Sequence, residues 1–87
     1  MRLDKFLKVS RLIKRRTLAK EICEQQRVEI NNKTAKASSL VAVGDEITLH
    51  FGHKKVTVRV DKLLENVRKE EAGSLFTVIK EESVTKS

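Results

Sequence analysis

The segment from Arg2 to Lys20, RLDKFLKVSRLIKRRTLAK, limits what this chain can become more than any other. It holds eight cations (Arg2, Lys5, Lys8, Arg11, Lys14, Arg15, Arg16 and Lys20) against the single acid Asp4, and so carries the whole formal net charge of +7. The other eleven cations of the chain are balanced by eleven acids. Interleaved with the cations are Leu3, Phe6, Leu7, Leu12, Ile13 and Leu18, followed by Ile22. That spacing lets helices bury one side and leave the charge on the other. It predicts folded basic helices offered to a polyanion, not a floppy basic tail.

Eighty-seven residues make one small domain that buries only about 60% of its unfolded surface, with little room for a deep catalytic cavity. A composition of 39% hydrophobic and 36% charged residues still supports a core. The charge puts nucleic acid first among partners, ahead of an anionic membrane surface or an acidic protein. No apolar run approaches the roughly 20 residues that span a bilayer, and the start lacks the apolar block of a signal peptide. The expected location is therefore the cytoplasm. The single cysteine, Cys23, cannot pair within the chain and falls on the apolar stripe of a helix, as a small core residue. His50 and His53 complete no metal spacing with Cys23 and read as residues at a turn, so neither metal nor cofactor is expected.

Taken in order, Leu3, Phe6 and Leu7 recur at helical spacing, with Asp4 in the first turn where a carboxylate complements the helix dipole. Ser10 to Lys14 forms a connection. A second helix follows, with Leu18, Ala19, Ile22, Cys23 and Gln26 on one face and Arg16 and Lys20 on another, capped from Thr17 or the residues just before it. Val28 and Ile30 alternate about Glu29 as a strand, Asn31-Asn32 supplies a turn with Lys33 at its tip, and Thr34 to Ala42 is an irregular connection. Gly44-Asp45 turns into a strand over Ile47 to Phe51. A hairpin around Gly52 leads to a second strand with Val56, Val58 and Val60. Leu63 to Gly73 reads as a charged loop or a frayed helical turn, Leu75 to Ile79 as a last strand, and residues 81–87 as a disordered tail. The result is one α+β domain over residues 1–80, with an N-terminal helix pair packed on a small, mostly antiparallel sheet.

Five fragments, RLDKFL at the start, Ser10-Arg11, KRRTLAKEI over Lys14 to Ile22, RVEINNK over Arg27 to Lys33, and LVAVGDEI from Leu40 to Ile47, stand in the order and spacing of a known family. The chain resembles the RNA-binding domain named after small-subunit ribosomal protein S-four, the alphaL motif, over residues 1–49, with residues 50–80 as a strand extension. The stand-alone form with a following hairpin is similar to the small heat-shock RNA-binding proteins and to the P-site factors of ribosome-associated quality control. The resemblance implies contact with structured RNA through Arg2, Lys5, Arg11, Lys14, Arg15, Arg16 and Lys20, with Asn32 and Lys33 at the hairpin. It implies RNA of the large ribosomal subunit and peptidyl-tRNA as partners, beside a larger factor that tails stalled chains with alanine, and a monomer as the working state. Gln26 and Asn32 stand where the family commonly has glycine. Asn32 tolerates a positive φ, whereas Gln26 would be strained there.

No base and orienting group stand at motif spacing near Ser10, Cys23, His50 or His53, which argues against an enzyme. Asp4 could orient a neighbouring arginine or cap a helix. With three Phe and no Tyr or Trp there is no platform for stacking splayed bases, so backbone and shape recognition of folded RNA is favoured. A DNA-reading helix would want Asn or Gln among Arg16 to Glu24, and none is there. Arg16 and Arg2 lead the candidates, because Arg binds phosphate through two parallel bonds. Two other readings stay open: a protein adapter using the strands from Ile47 to Ile79, and an RNA-targeting module acting with a separate enzyme.

Overall fold

The computed structural model describes residues 1–51 and 53–83, without the side chains of Arg16 and Phe51. Gly52 and residues 84–87 lie outside the described residues. Two helices, α1 (Leu3–Val9) and α2 (Arg16–Glu24), precede five strands: β1 (Val28–Ile30), β2 (Lys33–Thr34), β3 (Glu46–Phe51), β4 (Lys54–Val60) and β5 (Phe76–Ser83). The strands form one sheet in the order β2-β1-β3-β4-β5, and every pairing is antiparallel. The expected α+β class, with a helix pair against an antiparallel sheet, is what the structure has.

Leu3, Phe6 and Leu7 of α1 are fully buried, as their spacing predicts, and join Ala19, Cys23, Val28, Ile47, Leu49, Val58, Val60 and Leu75 in one cluster. Truncating Phe6 to Ala in such a core would cost about 3–5 kcal/mol. The N–H groups that open a helix need partners from outside it. Here the backbone N–H of Leu3 donates to the Ser39 carbonyl (2.7 Å) and that of Asp4 to the Ala37 carbonyl (3.2 Å). The Lys5 N–H donates to the Asp4 carboxylate at 2.8 Å. The N-cap of α2 is Arg15, among the residues just before Thr17 where the cap was expected, and its side chain makes no capping hydrogen bond.

Both helices end on a residue with positive φ that is not glycine. In α2 the N–H of Gln26 (φ 59) donates to the Cys23 carbonyl and that of Arg27 to the Ile22 carbonyl, the paired bonds of a Schellman ending. In α1 the corresponding residue is Arg11 (φ 61), whose N–H donates to the Lys8 carbonyl. The strain expected at Gln26 is therefore present, and Arg11 adds a second case. Asn31 (φ 51) and Asn32 (φ 67) form the two-residue loop between β1 and β2, with both central residues left-handed as a type I′ turn requires.

Several expectations need correction. Lys33 is not at the tip but is the first residue of β2, opposite Ile30. Leu18, expected on the buried face, is 47% exposed: Ala19 and Cys23, four apart, set the buried line of α2, and Leu18 lies one helical step of about 100° to its side. His50 lies inside β3, not at a turn. Leu75 closes a 3₁₀ turn, and the last strand runs on through Glu81 to Ser83, residues that read from sequence as tail. Lys54–Glu81 and Lys80–Glu82 ion pairs and the Lys55↔Glu82 register show why a polar segment is held: complementary charges lie across and along an edge strand.

Candidate nucleic-acid interface

Arg2 is positioned from both sides of its backbone. It precedes α1 as N-cap in an extended conformation and pairs with Leu40 in an isolated antiparallel bridge. Its guanidinium is half exposed, with Nε 3.3 Å and Nη2 3.4 Å from the carboxylate of Asp4, which is itself 2% exposed. Asp4 therefore does both things considered for it, accepting from a helix N–H and holding an arginine.

Arg2 and Lys20 line one open groove of about 590 Å³, together with Gln26, Thr34 and Lys36, with Cys23 at its floor. A shallower depression beside it brings Arg2, Asp4, Thr17 and Lys20 together. Arg2, Lys20 and Lys36 stand far apart in the chain, and no spacing in the sequence pairs them. Lys36 in particular sits in what reads as an irregular connection, and only its place beside the helix pair marks it. Lys14 and Arg15 are exposed between the helices, and Asn32 and Lys33 are exposed on the hairpin. The side chain of Arg16, first residue of α2, lies outside the described part of the structure.

The other cations of α1 face elsewhere. Lys5 pairs with Glu65 at 3.2 Å. Lys8 and Arg11 line a second depression with Asn66, Arg68 and Glu71 of the loop after β4. The predicted set is thus divided: Arg2 and Lys20 meet, whereas Lys5 and Arg11 turn toward the 65–71 loop.

Ion pairs occupy cations of both parts of the molecule, Arg2 and Lys5 on the helix side and three cations of the sheet. Arg59 pairs with Asp61 at 3.0 Å and Lys80 with Glu82 at 2.7 Å, with Lys54 on Glu81. Among the described residues no ion pair engages Lys8, Arg11, Lys14, Arg15, Lys20, Lys33 or Lys36. An unpaired surface cation can neutralise a phosphate and so release the counterions condensed on a polyanion, and that release drives association.

The groove offers little to reaction chemistry. Burial, with Asp4 and Glu24 nearby, pushes the Cys23 thiol up to about 11, so it is protonated at neutral pH and a poor nucleophile. Among the described residues no three His, Cys, Asp or Glu side chains gather as metal ligands. His50 Nε2 lies 2.6 Å from Glu29 Oε2, a carboxylate partner the sequence did not reveal.

The model of the S4 domain matches residues 1–47, which takes in both helices, the hairpin and the start of β3. The chain belongs to the S4-domain family. Within that family it is similar over its whole length to proteins named RQC P-site tRNA stabilizing factor. The one from Halalkalibacterium halodurans is 61% identical over 87 residues, covering 100% of this chain and 99% of that protein. The one from Bacillus subtilis is 61% identical over 84 residues, covering 97% and 98%. A trimeric structure of Vibrio cholerae Heat Shock Protein 15 matches with a TM-score of 0.83 and 37% identity, over 90% of this chain and 80% of that one. The S4-domain match stops at Ile47, while the similarity to these relatives runs on through β4 and β5.

Proposed function

We propose that this chain is a non-enzymatic, cytoplasmic RNA-binding protein that attaches to RNA of the large ribosomal subunit and stabilises peptidyl-tRNA in the P site during quality control of stalled translation. It acts as a monomer beside a larger factor that adds alanine to the stalled chain. The observation that carries the reading is the groove where Lys20 and Lys36, in no ion pair among the described residues, stand beside the half-exposed guanidinium of Arg2, with Glu24 the one acid of the lining. The names of the relatives supply the ribosomal setting, and no helix of the described residues is long and apolar enough to cross a membrane.

Co-sedimentation with purified large subunits, with and without P-site peptidyl-tRNA, tests it. Binding should be strengthened by the tRNA and lost in an Arg2→Ala/Lys20→Ala variant that keeps its thermal midpoint. Unchanged sedimentation of that variant would overturn the assignment of the groove, and indifference to tRNA would overturn the P-site role. Light scattering of the free protein at sedimentation concentrations checks the monomer, given the trimer of the Vibrio cholerae relative.

A second reading, recruitment of a protein through the strands, has one observation behind it. Val78 and Ile79 are half exposed on β5, the last strand of the sheet. Charge reversal of the helix cations would leave such recruitment intact while abolishing subunit binding.

A further inference from the structure

We propose that Leu40, Ala42 and Val43 form a fixed apolar ledge that packs on the riboses of an A-form RNA minor groove, an inference that rests on the RNA-binding reading above. Leu40 (73%) and Val43 (62%) are the most exposed large hydrophobic side chains among the described residues. A single exposed aliphatic residue needs no explanation. These two stand three residues apart on a segment that is held from every side. Leu40 is bridged to Arg2, the buried Val41 donates its N–H to the Met1 carbonyl (2.8 Å), and Gly44, at φ 94, donates to the Val60 carbonyl (2.8 Å). The Ala42 N–H is held by the Asp45 carboxylate at 2.8 Å. A preformed ledge loses little conformational entropy when it is covered.

Its surroundings indicate what covers it. Residues 37–44 carry no ionisable side chain. At one end stands Arg2; at the other, Asn31 Nδ2 donates to Asp45 Oδ1 at 3.1 Å and so ties the turn to the hairpin that carries Asn32 and Lys33. The stretch thus has Arg2 at one end and, beyond Asp45 and Glu46 at the other, Lys33 on the hairpin, a spacing of cations about an apolar centre that suits the wide, shallow face of an A-form stem, where two phosphate strands flank riboses and base edges. An apolar protein surface would gain nothing from the flanking cations, so RNA is favoured. The ledge then supplies van der Waals contact that the groove cations cannot.

The test uses the full chain and purified large ribosomal subunits. Leu40→Ser/Val43→Ser should weaken binding about tenfold or more at every salt concentration, without changing the slope of log Kd against log salt. Lys20→Ala should instead lower that slope by about one. In hydroxyl-radical footprinting at saturating protein, the double variant should lose part of the ribose protection seen with the unsubstituted chain, and Leu40→Ile/Val43→Ile should restore it. Equal affinity of the double variant overturns the proposal. So does weaker binding with an unaltered ribose footprint, which would assign the ledge to a protein. Absence of salt dependence in the unsubstituted protein would instead overturn the RNA-binding reading beneath it.

Discussion

The buried carboxylate of Asp4 holds the half-exposed guanidinium of Arg2 two residues before it, at 3.3 Å, and also accepts the Lys5 N–H at 2.8 Å. An acid in a basic surface ought to weaken a polyanion's grip. Here its charge is offset by Arg2 and by the Lys5 N–H, whereas the arginine it aims remains accessible. Asp4→Asn keeps the size and an acceptor for Lys5 but gives up the charge that orients Arg2. The expected result is subunit binding several-fold weaker, at an unchanged salt slope, with a stability loss of about 1–2 kcal/mol from the weakened buried hydrogen bonds. Tighter binding by Asp4→Asn would show that Asp4 acts as a plain opposing charge.

Ion pairing predicts which cations matter to salt dependence. A protein that neutralises about six phosphates loses on the order of a thousandfold in affinity between 50 and 200 mM salt. Lys14, Arg15 and Lys20, unpaired among the described residues, should each remove about one from the slope when changed to Ala. Arg59 and Lys80, occupied by Asp61 and Glu82, should leave it unchanged. Titrations at four or five salt concentrations decide this, and equal slopes for the two groups would contradict it.

Local patterns were legible in the chain and long-range meetings were not. The Leu3, Phe6, Leu7 spacing gave α1, the valines of β4 gave a strand, and Asn31-Asn32 gave the hairpin turn, because each depends on neighbours within a few residues. Arg2, Lys20 and Lys36 share a groove only through the packing of α2 against the segment after β2, which no period records. Lys5 likewise finds Glu65 sixty residues on, and so leaves the surface to which its sequence neighbours belong. Leu18 misled because helical spacing locates a stripe but not its width. Glu81 to Ser83 misled because charge alone resembles a tail, and the strand depends on Lys54 and Lys55 across the sheet.

Gln26 tests the value of glycine at a helix ending. Its φ of 59 costs an L-residue roughly 1–2 kcal/mol that glycine avoids, offset in part by the greater freedom of glycine when unfolded. Gln26→Gly should therefore raise stability by about 0.5–1 kcal/mol, or about 2–8 °C in thermal midpoint for a domain of this size. Gln25→Gly, at φ −81, has no strain to relieve and should lower it. A lower midpoint for Gln26→Gly would mean that its side chain, which lines the groove, makes contacts worth more than the strain.

Cys23 gives a prediction in pH. Burial first, then Asp4 and Glu24, moves its thiol from 9.0 to about 11, so the folded chain holds this proton more tightly than the unfolded chain does. The resulting stabilisation is complete below pH 9 and is lost as pH rises from about 9 to about 11, where the unfolded thiol ionises and the folded one resists. Lysines titrate in the same range, so the measurement is a difference: denaturant midpoints of the unsubstituted protein and of Cys23→Ala, compared from pH 8 to 11. The gap between them should narrow with rising pH. At pH 8 a thiol reagent should modify the folded protein far more slowly than the chain in denaturant, since both access and thiolate are lacking. Rapid labelling of the native protein would place Cys23 at the surface of the groove and remove it from the core.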